Sequence, residues 1–322
     1  MLRPFLLVGV GGSGGKTLRA VRQHLLLKLQ QVGWEGGMPD AWQFLHIDSP
    51  TIQDGREFPA PFMDPDDYLS LVPTGVNYDA IYTSIVQKIP KNLQTEVEKP
   101  LPSNQEVIVP VSLGAGAFRA IGRTIAVAGL DKVQQKVRTS IAKMTDGRTV
   151  LDLQNLNGLL GGAEGAVGSP IVIIVSSIAG GSGAGMFLDV TEAIKSATNG
   201  QPWADTTFSI LYAPDVFNQI ATEAIPPNAL GAMVETMAGS WTNVPTEATS
   251  QLYSAYGLRT GGRPEYRIGP AFNYVVGRKN KVVDFASQTN VYNSVSASIA
   301  GWMCDDRIQD SMAAYAVANH AA

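Results

Sequence analysis

Apolar positions along the chain follow two rhythms. "FLLVGV" (5–10), "AWQFLHID" (41–48), "PIVIIVSSI" (170–178), "TFSILYAP" (207–214) and "AFNYVVG" (271–277) are short, nearly continuous apolar runs. Buried parallel strands, covered on both faces, read this way. "EVIVPVSL" (106–113) is read as one more short strand. Between these runs the spacing becomes helical. Leu18, Val21, Leu25, Leu29 and Val32 fall on one face of 16–32. Further helices are predicted over 78–89, over 114–144 after a glycine turn, and over 186–198 and 228–241. One long Ala/Ser-rich helix is predicted from about 289 onward. Residues 49–65 and 145–169 read as loops, and 242–270 as polar surface. Strands alternating with helices predict an α/β fold with a mainly parallel sheet flanked by helices. Ligands of such sheets bind beyond the carboxyl ends of the strands.

Composition narrows the function classes. The chain has 322 residues, 45% hydrophobic and 16% charged, with a net charge of −4. That balance suits a globular domain and argues against a nucleic-acid partner, which needs a basic patch. One cysteine, Cys304, and three histidines leave little material for disulfides or a Cys/His zinc site. A cytoplasmic location is expected. Membrane insertion is not, since no run approaches the ~18 apolar residues of a spanning helix.

Glycines cluster at 9–15, 114–116, 158–168 and 180–185. "GVGGSGGKT" (9–17) fits three kinds of phosphate loop. The Walker pattern fails by one residue, because Val10 stands where its first Gly belongs. The dinucleotide pattern fits at Gly9, Gly11 and Gly14. Its acidic partner would be Asp48, which lies well beyond the roughly 20 residues expected. Neither pattern uses the loops at 114 and 180. Three predicted strands run into glycine loops that each open a helix. Their backbone N–H groups would share one rim of the sheet, a cradle suited to polyphosphate.

"VSSIAGGSGAGMFLDV" (175–190) resembles the signature loop of the tubulin/FtsZ superfamily, G-G-G-T-G-[ST]-G. Ala179 replaces its first Gly, Ser182 its Thr and Ala184 its small sixth residue. "GVGGSGG" (9–15), "FLHIDSPTIQD" (44–54), "LGAGAFRAIGR" (113–123), "YAPDVF" (212–217), "NALGAMVE" (228–235) and "YVVGRKN" (274–280) resemble further elements in family order, over roughly 4–300. The resemblance implies a Rossmann-like GTPase domain over 1–287. A core helix and C-terminal end would follow over 288–322, with no second, activation-type domain. It implies GTP or GDP with Mg²⁺.

Residue roles follow from the same resemblance. Gly180, Gly181, Ser182 and Gly183 would wrap the α- and β-phosphates, and Gly11, Gly12 and Ser13 would add donors. Gly114, Ala115, Gly116 and Ala117 would close over the γ-phosphate. Asp48 would hold Mg²⁺ through water. Arg123 matches a family arginine near the nucleotide. Asp215 is a candidate for the sugar, Asn280 for the guanine edge, and Asn290 or Asn293, beside Tyr292, for the base. Lys16 has no family counterpart: it adds a charge to the cradle or is an exposed helix residue. "GWMCDDRIQD" (301–310) compares with the catalytic pattern G-x-x-N-x-D, with Cys304 for Asn, which nominates Asp306 and Asp310. The alternative is that 289–318 is all helix and the catalytic loop lies past 322. The implied activity is GTP hydrolysis coupled to assembly of filaments or oligomers, with the active site completed between subunits of a bacterial protein. A non-polymerising nucleotide switch or scaffold, and a Rossmann-type NAD enzyme, are the alternatives.

Overall fold

The computed structural model describes residues 1–53, 63–108, 110–219, 222–241, 245–260 and 267–320. Six strands form one parallel sheet: β1 (Phe5–Val10), β2 (Trp42–Asp48), β3 (Tyr68–Ser70), β4 (Ile171–Ser177), β5 (Phe208–Tyr212) and β6 (Phe272–Val276). Their order is β3-β2-β1-β4-β5-β6. Every residue of β1, β2, β4 and β5 is buried. This is what continuous apolar runs demand, because alternate side chains must find a core on each face. Leu6 and Val8 enter one core, Phe5 and Leu7 the other.

The helices divide between the two faces. α1 (Gly11–Gln31) packs with α6 (Gly147–Leu159) and α11 (Gln288–Met303) in the Phe5/Leu7 core, joined by α12 (Asp306–His320). The opposite core takes α2 (Tyr78–Lys88), α3 (Lys91–Glu98), α4 (Arg119–Ala128), α5 (Leu130–Met144), α7 (Ser182–Ala197), α9 (Ile225–Trp241) and α10 (Glu247–Ala255). The short α8 (Pro202–Asp205) leads into β5. The α/β fold, with its parallel sheet flanked by helices, is the one expected.

Several expectations need correction. Residues 106–113 form no strand among those described: Val111–Leu113 is a 3-10 turn and Ile108 is 92% exposed. The sheet edge belongs instead to β3, three residues too short to show a period. The helix over 114–144 breaks at Gly129, where Leu71 closes to within 2.9 Å of the position a Cβ would take. α6 occupies half of a presumed loop. α10 lies in the presumed polar surface, with Leu252 and Tyr253 buried; residues 242–244 and 261–266 are outside the described residues, as are 54–62 of the first loop. The terminal helix is two helices, because the chain turns at Cys304–Asp305 and restarts at Asp306. Gln309 closes that turn by donating to the carbonyls of Trp302 (3.1 Å) and Met303 (2.9 Å). No helix among the described residues is long and apolar enough to cross a membrane.

Candidate functional site

α1 and α7 both start earlier than the apolar spacing predicts, and the glycines are the reason. They lie inside the first turns, where the helices press on the sheet. A Cβ at Gly9 would lie 2.6 Å from the Gly14 carbonyl carbon, and one at Gly15 would strike the His46 ring. Only glycine permits that approach. Because β1 and β4 are parallel neighbours, α1 and α7 begin side by side on the carboxyl rim. Gly11, at φ +72°, leaves room for a Cβ only 2.7 Å from the Gly183 nitrogen. Among the described residues neither helix has a side-chain N-cap or an acidic residue in its first turn. Two sets of unpaired N–H groups, each at the positive end of a helix dipole, therefore converge.

A third loop completes the enclosure. Gly114 and Gly116 take positive φ, and Gly181 backs directly onto the Gly116 carbonyl. The result is a cleft of about 320 Å³. Gly11, Gly12, Ser13, Lys16, Asp48, Gly114, Ala115, Gly116 and Gly180 to Gly183 line it. Gly180 differs from its neighbours: among the described residues no atom lies within 4 Å of where its Cβ would be. Gly181 is packed, and Gly180 faces open space.

Hydroxyl groups set the polar surface of the cleft. Ser49 Oγ lies 2.9 Å from Ser182 Oγ and accepts from the Ala115 N–H at 3.1 Å, so it ties the α7 start to the 114–116 loop. Asp48 is 3% exposed, and its Oδ1 accepts from the Ser49 N–H at 2.7 Å. His46 Nε2 stands 3.8 Å from its other oxygen. At the far end, Tyr292 donates to Ser13 Oγ (3.0 Å) and accepts from Gln288 Nε2 (2.7 Å). Its ring meets Tyr212 edge-on at 4.9 Å, and the Tyr212 hydroxyl shares a 2.8 Å hydrogen bond with Thr17 Oγ1. Burial pushes the Tyr212 hydroxyl far above its ordinary pKa, which keeps it neutral.

Other nominated residues lie elsewhere. The Ala117 carbonyl accepts from Asn228 Nδ2 at 2.7 Å, behind the cleft. Arg123 pairs with buried Asp189 at 3.5 Å, and Tyr253 donates to the same carboxylate. The Asp189 charge raises the pKa of Arg123, while burial raises that of Asp189. Asp215 accepts from the Arg278 N–H at 2.8 Å. Asn280 is exposed and caps its own turn, accepting from the N–H groups of Val282 and Val283. Asn290 caps the start of α11 with Ser287, and Asn293 is exposed. α11 instead turns Gln288 and Tyr292 toward the cleft, four residues apart and so on one face. Asp306 and Asp310 sit on the amino rim, at the other end of the sheet. Asp306 accepts from the Met1 amine (2.9 Å) and the Ala163 N–H (3.0 Å), and Asp310 from Arg3 (3.0 Å).

Sequence reasoning missed Ser49, Phe217 and Gln288 in the lining, and Asn228 behind it. Asn228 Nδ2 donates to the carbonyls of both Ala117 and Ala179 (3.1 Å), joining two of the loops. A signal existed for Gln288. The buried positions Val291, Tyr292, Ser296, Ile299, Ala300 and Met303 define one helix face, and Gln288 extends it by a turn.

The model of the tubulin-like family matches residues 6–321. Among solved structures, CetZ from Methanosaeta thermophila is similar with a TM-score of 0.44 and 13% identity, over 94% of this chain and 52% of that one. The chain thus spans about half the length of that protein. A comparison with curated proteins finds no match.

Proposed function

The chain belongs to the tubulin-like family, and on that premise we propose that the carboxyl-rim cleft binds a guanine nucleotide through its phosphates. The observation that carries this reading is the convergence of two uncapped helix N-termini on a glycine-lined cleft. In this reading Gly180 to Gly183 and Gly11 to Ser13 bind α- and β-phosphate, and Gly114 to Gly116 cover the γ-phosphate. Gln288 and Tyr292 take the place intended for Asn290 and Asn293 near the base. In this reading 9–17 is one of the glycine loops of the cleft and not a Walker or dinucleotide loop.

Mg²⁺ fits the residues present. Asp48 and the hydroxyls of Ser49 and Ser182 are hard oxygen donors beside the phosphate loops, and Asp48 would hold the ion through water. The ion would supply charge neutralisation on the phosphates. The chain's own part is to orient the nucleotide through backbone N–H groups and to exclude water behind the Ser49 hydrogen bonds. Residues 1–287 form the nucleotide-binding domain, and 288–322 carry the helix that borders the cleft and the amino-rim turn.

We further propose hydrolysis coupled to head-to-tail assembly into filaments, with the active site completed between subunits. Its support is the position of Asp305, Asp306 and Asp310 on the rim opposite the cleft, where a stacked neighbour would meet them. A second reading, a nucleotide switch that does not polymerise, is favoured by the engagement of Asp306 and Asp310 with Met1 and Arg3. Denaturing the purified protein and chromatographing the released nucleotide tests the first proposal: GTP or GDP is expected, and NAD or ATP would overturn it. Light scattering with GTP and Mg²⁺ separates the two readings of assembly. A rise in signal supports filaments, and a flat trace at micromolar protein supports the switch.

A further inference from the structure

β2 carries a histidine that the nucleotide reading leaves without a task. His46 is 2% exposed, and neither ring nitrogen has a hydrogen-bond partner among the described residues. Its place is fixed from two sides. The ring meets Tyr68 of β3 edge-on, with centroids 4.9 Å apart. The Tyr68 hydroxyl in turn donates to the Pro50 carbonyl, just past Asp48. On the other side lies Gly15 of α1, where a Cβ would overlap the ring edge that carries both nitrogens. Glycine at 15 is therefore what admits the imidazole. Glycine inside a helix is unfavourable relative to alanine, and a buried nitrogen without a partner carries a desolvation cost. An apolar residue at 46 with alanine at 15 would avoid both costs. Two unfavourable features at one contact point to a role for the ring beyond packing.

What the ring faces is Asp48. The two side chains stand two residues apart on β2, and so on one face, and Nε2 lies 3.8 Å from Asp48 Oδ2. The other oxygen, Oδ1, accepts from the Ser49 N–H. The carboxylate that lines the cleft is thus held at one oxygen by its own chain and approached at the other by a buried imidazole. We propose that His46 is a positioning residue for Asp48 in its hold on Mg²⁺, an inference that rests on the nucleotide reading of the cleft. With its proton on Nε2 the ring is a donor facing Oδ2. The 3.8 Å gap is longer than a hydrogen bond, and it closes when nucleotide and ion occupy the cleft. A carboxylate gripped by a donor at each oxygen cannot swing away from metal-bound water, and such outer partners set metal affinity. His46 does not line the cleft, so it acts on the ion only through Asp48.

Binding of a non-hydrolysable GTP analogue to the full chain, measured across a Mg²⁺ series, tests it. The readout is the Mg²⁺ concentration at half of the gain in affinity. His46→Leu should raise that midpoint by about 10–100-fold, with affinity in EDTA unchanged. His46→Gln supplies an amide donor of similar reach and should keep the midpoint near that of the wild type. A ring that only packs would give the reverse order, since leucine suits an apolar site and a buried amide does not. A second measurement stands if either variant fails to fold. The chain has three histidines, so with His24→Gln and His320→Gln its imidazole ¹⁵N spectrum reports on His46 alone. Adding Mg²⁺ to the analogue complex should shift the Nε2 resonance. A wild-type midpoint in His46→Leu, an equal loss in His46→Gln, or an unmoved Nε2 resonance overturns the proposal. Failure to bind the analogue both with and without Mg²⁺ would overturn the nucleotide reading as well. Any of the former results beside intact binding in EDTA overturns this inference alone.

Discussion

The two rims of the sheet are built from the same strands and end in opposite states. On the amino rim the main-chain donors of residues 1–3 and 163 are spent. The Met1 amine and the Ala163 N–H go to Asp306, the Leu2 N–H to Asn157 Oδ1 (3.0 Å), and the Arg3 N–H to Gln309 Oε1 (2.7 Å). Carboxylates and amides from α6 and α12 stitch that end shut. On the carboxyl rim, two helices begin with no capping side chain among the described residues, and Asp48, a carboxylate of the cleft lining, turns its Oδ1 to the N–H of its own neighbour Ser49. A buried or half-buried N–H without a partner carries a desolvation cost, so such groups are retained where a ligand satisfies them. The difference teaches which end is structural and which is kept available.

Substitutions should act accordingly, and the largest effect belongs to the open rim. Gly180→Asp puts a carboxylate into empty space within the cleft. Nucleotide affinity should fall by at least about a hundredfold, about 2.7 kcal/mol, with an unchanged melting temperature. Gly181→Asp is the contrast. Its side chain would collide with the Gly116 carbonyl, so binding falls together with about 1–3 kcal/mol of stability. Equal melts for the two variants would remove the distinction between lining and packing glycines.

On the closed rim, Asp306→Asn should cost about 2 kcal/mol and leave nucleotide affinity intact. The hydrogen bond from the Met1 amine lowers the Asp306 pKa below the ordinary carboxylate value. Its contribution is therefore present above the ordinary carboxylate pKa and is lost as pH falls through the lowered one. Urea melts from pH 7 down to pH 3 should show a smaller acid slope in the variant. An unchanged slope would mean that the ion pair does not hold this rim.

Smaller effects lie between the rims. Asn228→Ala leaves the carbonyls of Ala117 and Ala179 without their shared donor, which should cost about 1–2 kcal/mol and reduce discrimination between di- and triphosphate. Lys16→Ala should weaken binding only about threefold, roughly 0.6 kcal/mol. Loss of all binding on that change would restore the Walker reading of 9–17.

The sheet was legible because β1, β2, β4 and β5 are buried on both faces and their side chains leave an unbroken apolar trace; β6 keeps that trace although Tyr274 and Val275 are exposed at the sheet edge, against the buried strand expected, and β3 left none. The glycine loops of the cleft were legible because glycine at Gly11, Gly181 and Gly183 is a steric requirement that shows in the sequence. The side of the cleft bordered by α11 was not. Asn280, Asn290 and Asn293 are the right chemistry, but each is exposed or spent on a local turn. Which face of α11 meets the cleft depends on its packing against α1, a contact between residues nearly 300 positions apart, such as Ser296 Oγ to the Thr17 carbonyl. Arg123 was drawn from the cleft by Asp189, whose buried charge requires a partner. Distant pairings of this kind leave no local pattern.

Calorimetric titration of GTP, GDP and ATP into the wild-type chain and Gly180→Asp weighs the account as a whole. GTP and GDP should bind the wild type and fail to bind Gly180→Asp, while both proteins melt at the same temperature. Absence of guanine-nucleotide binding by the wild type, or equal binding by both proteins, would contradict it.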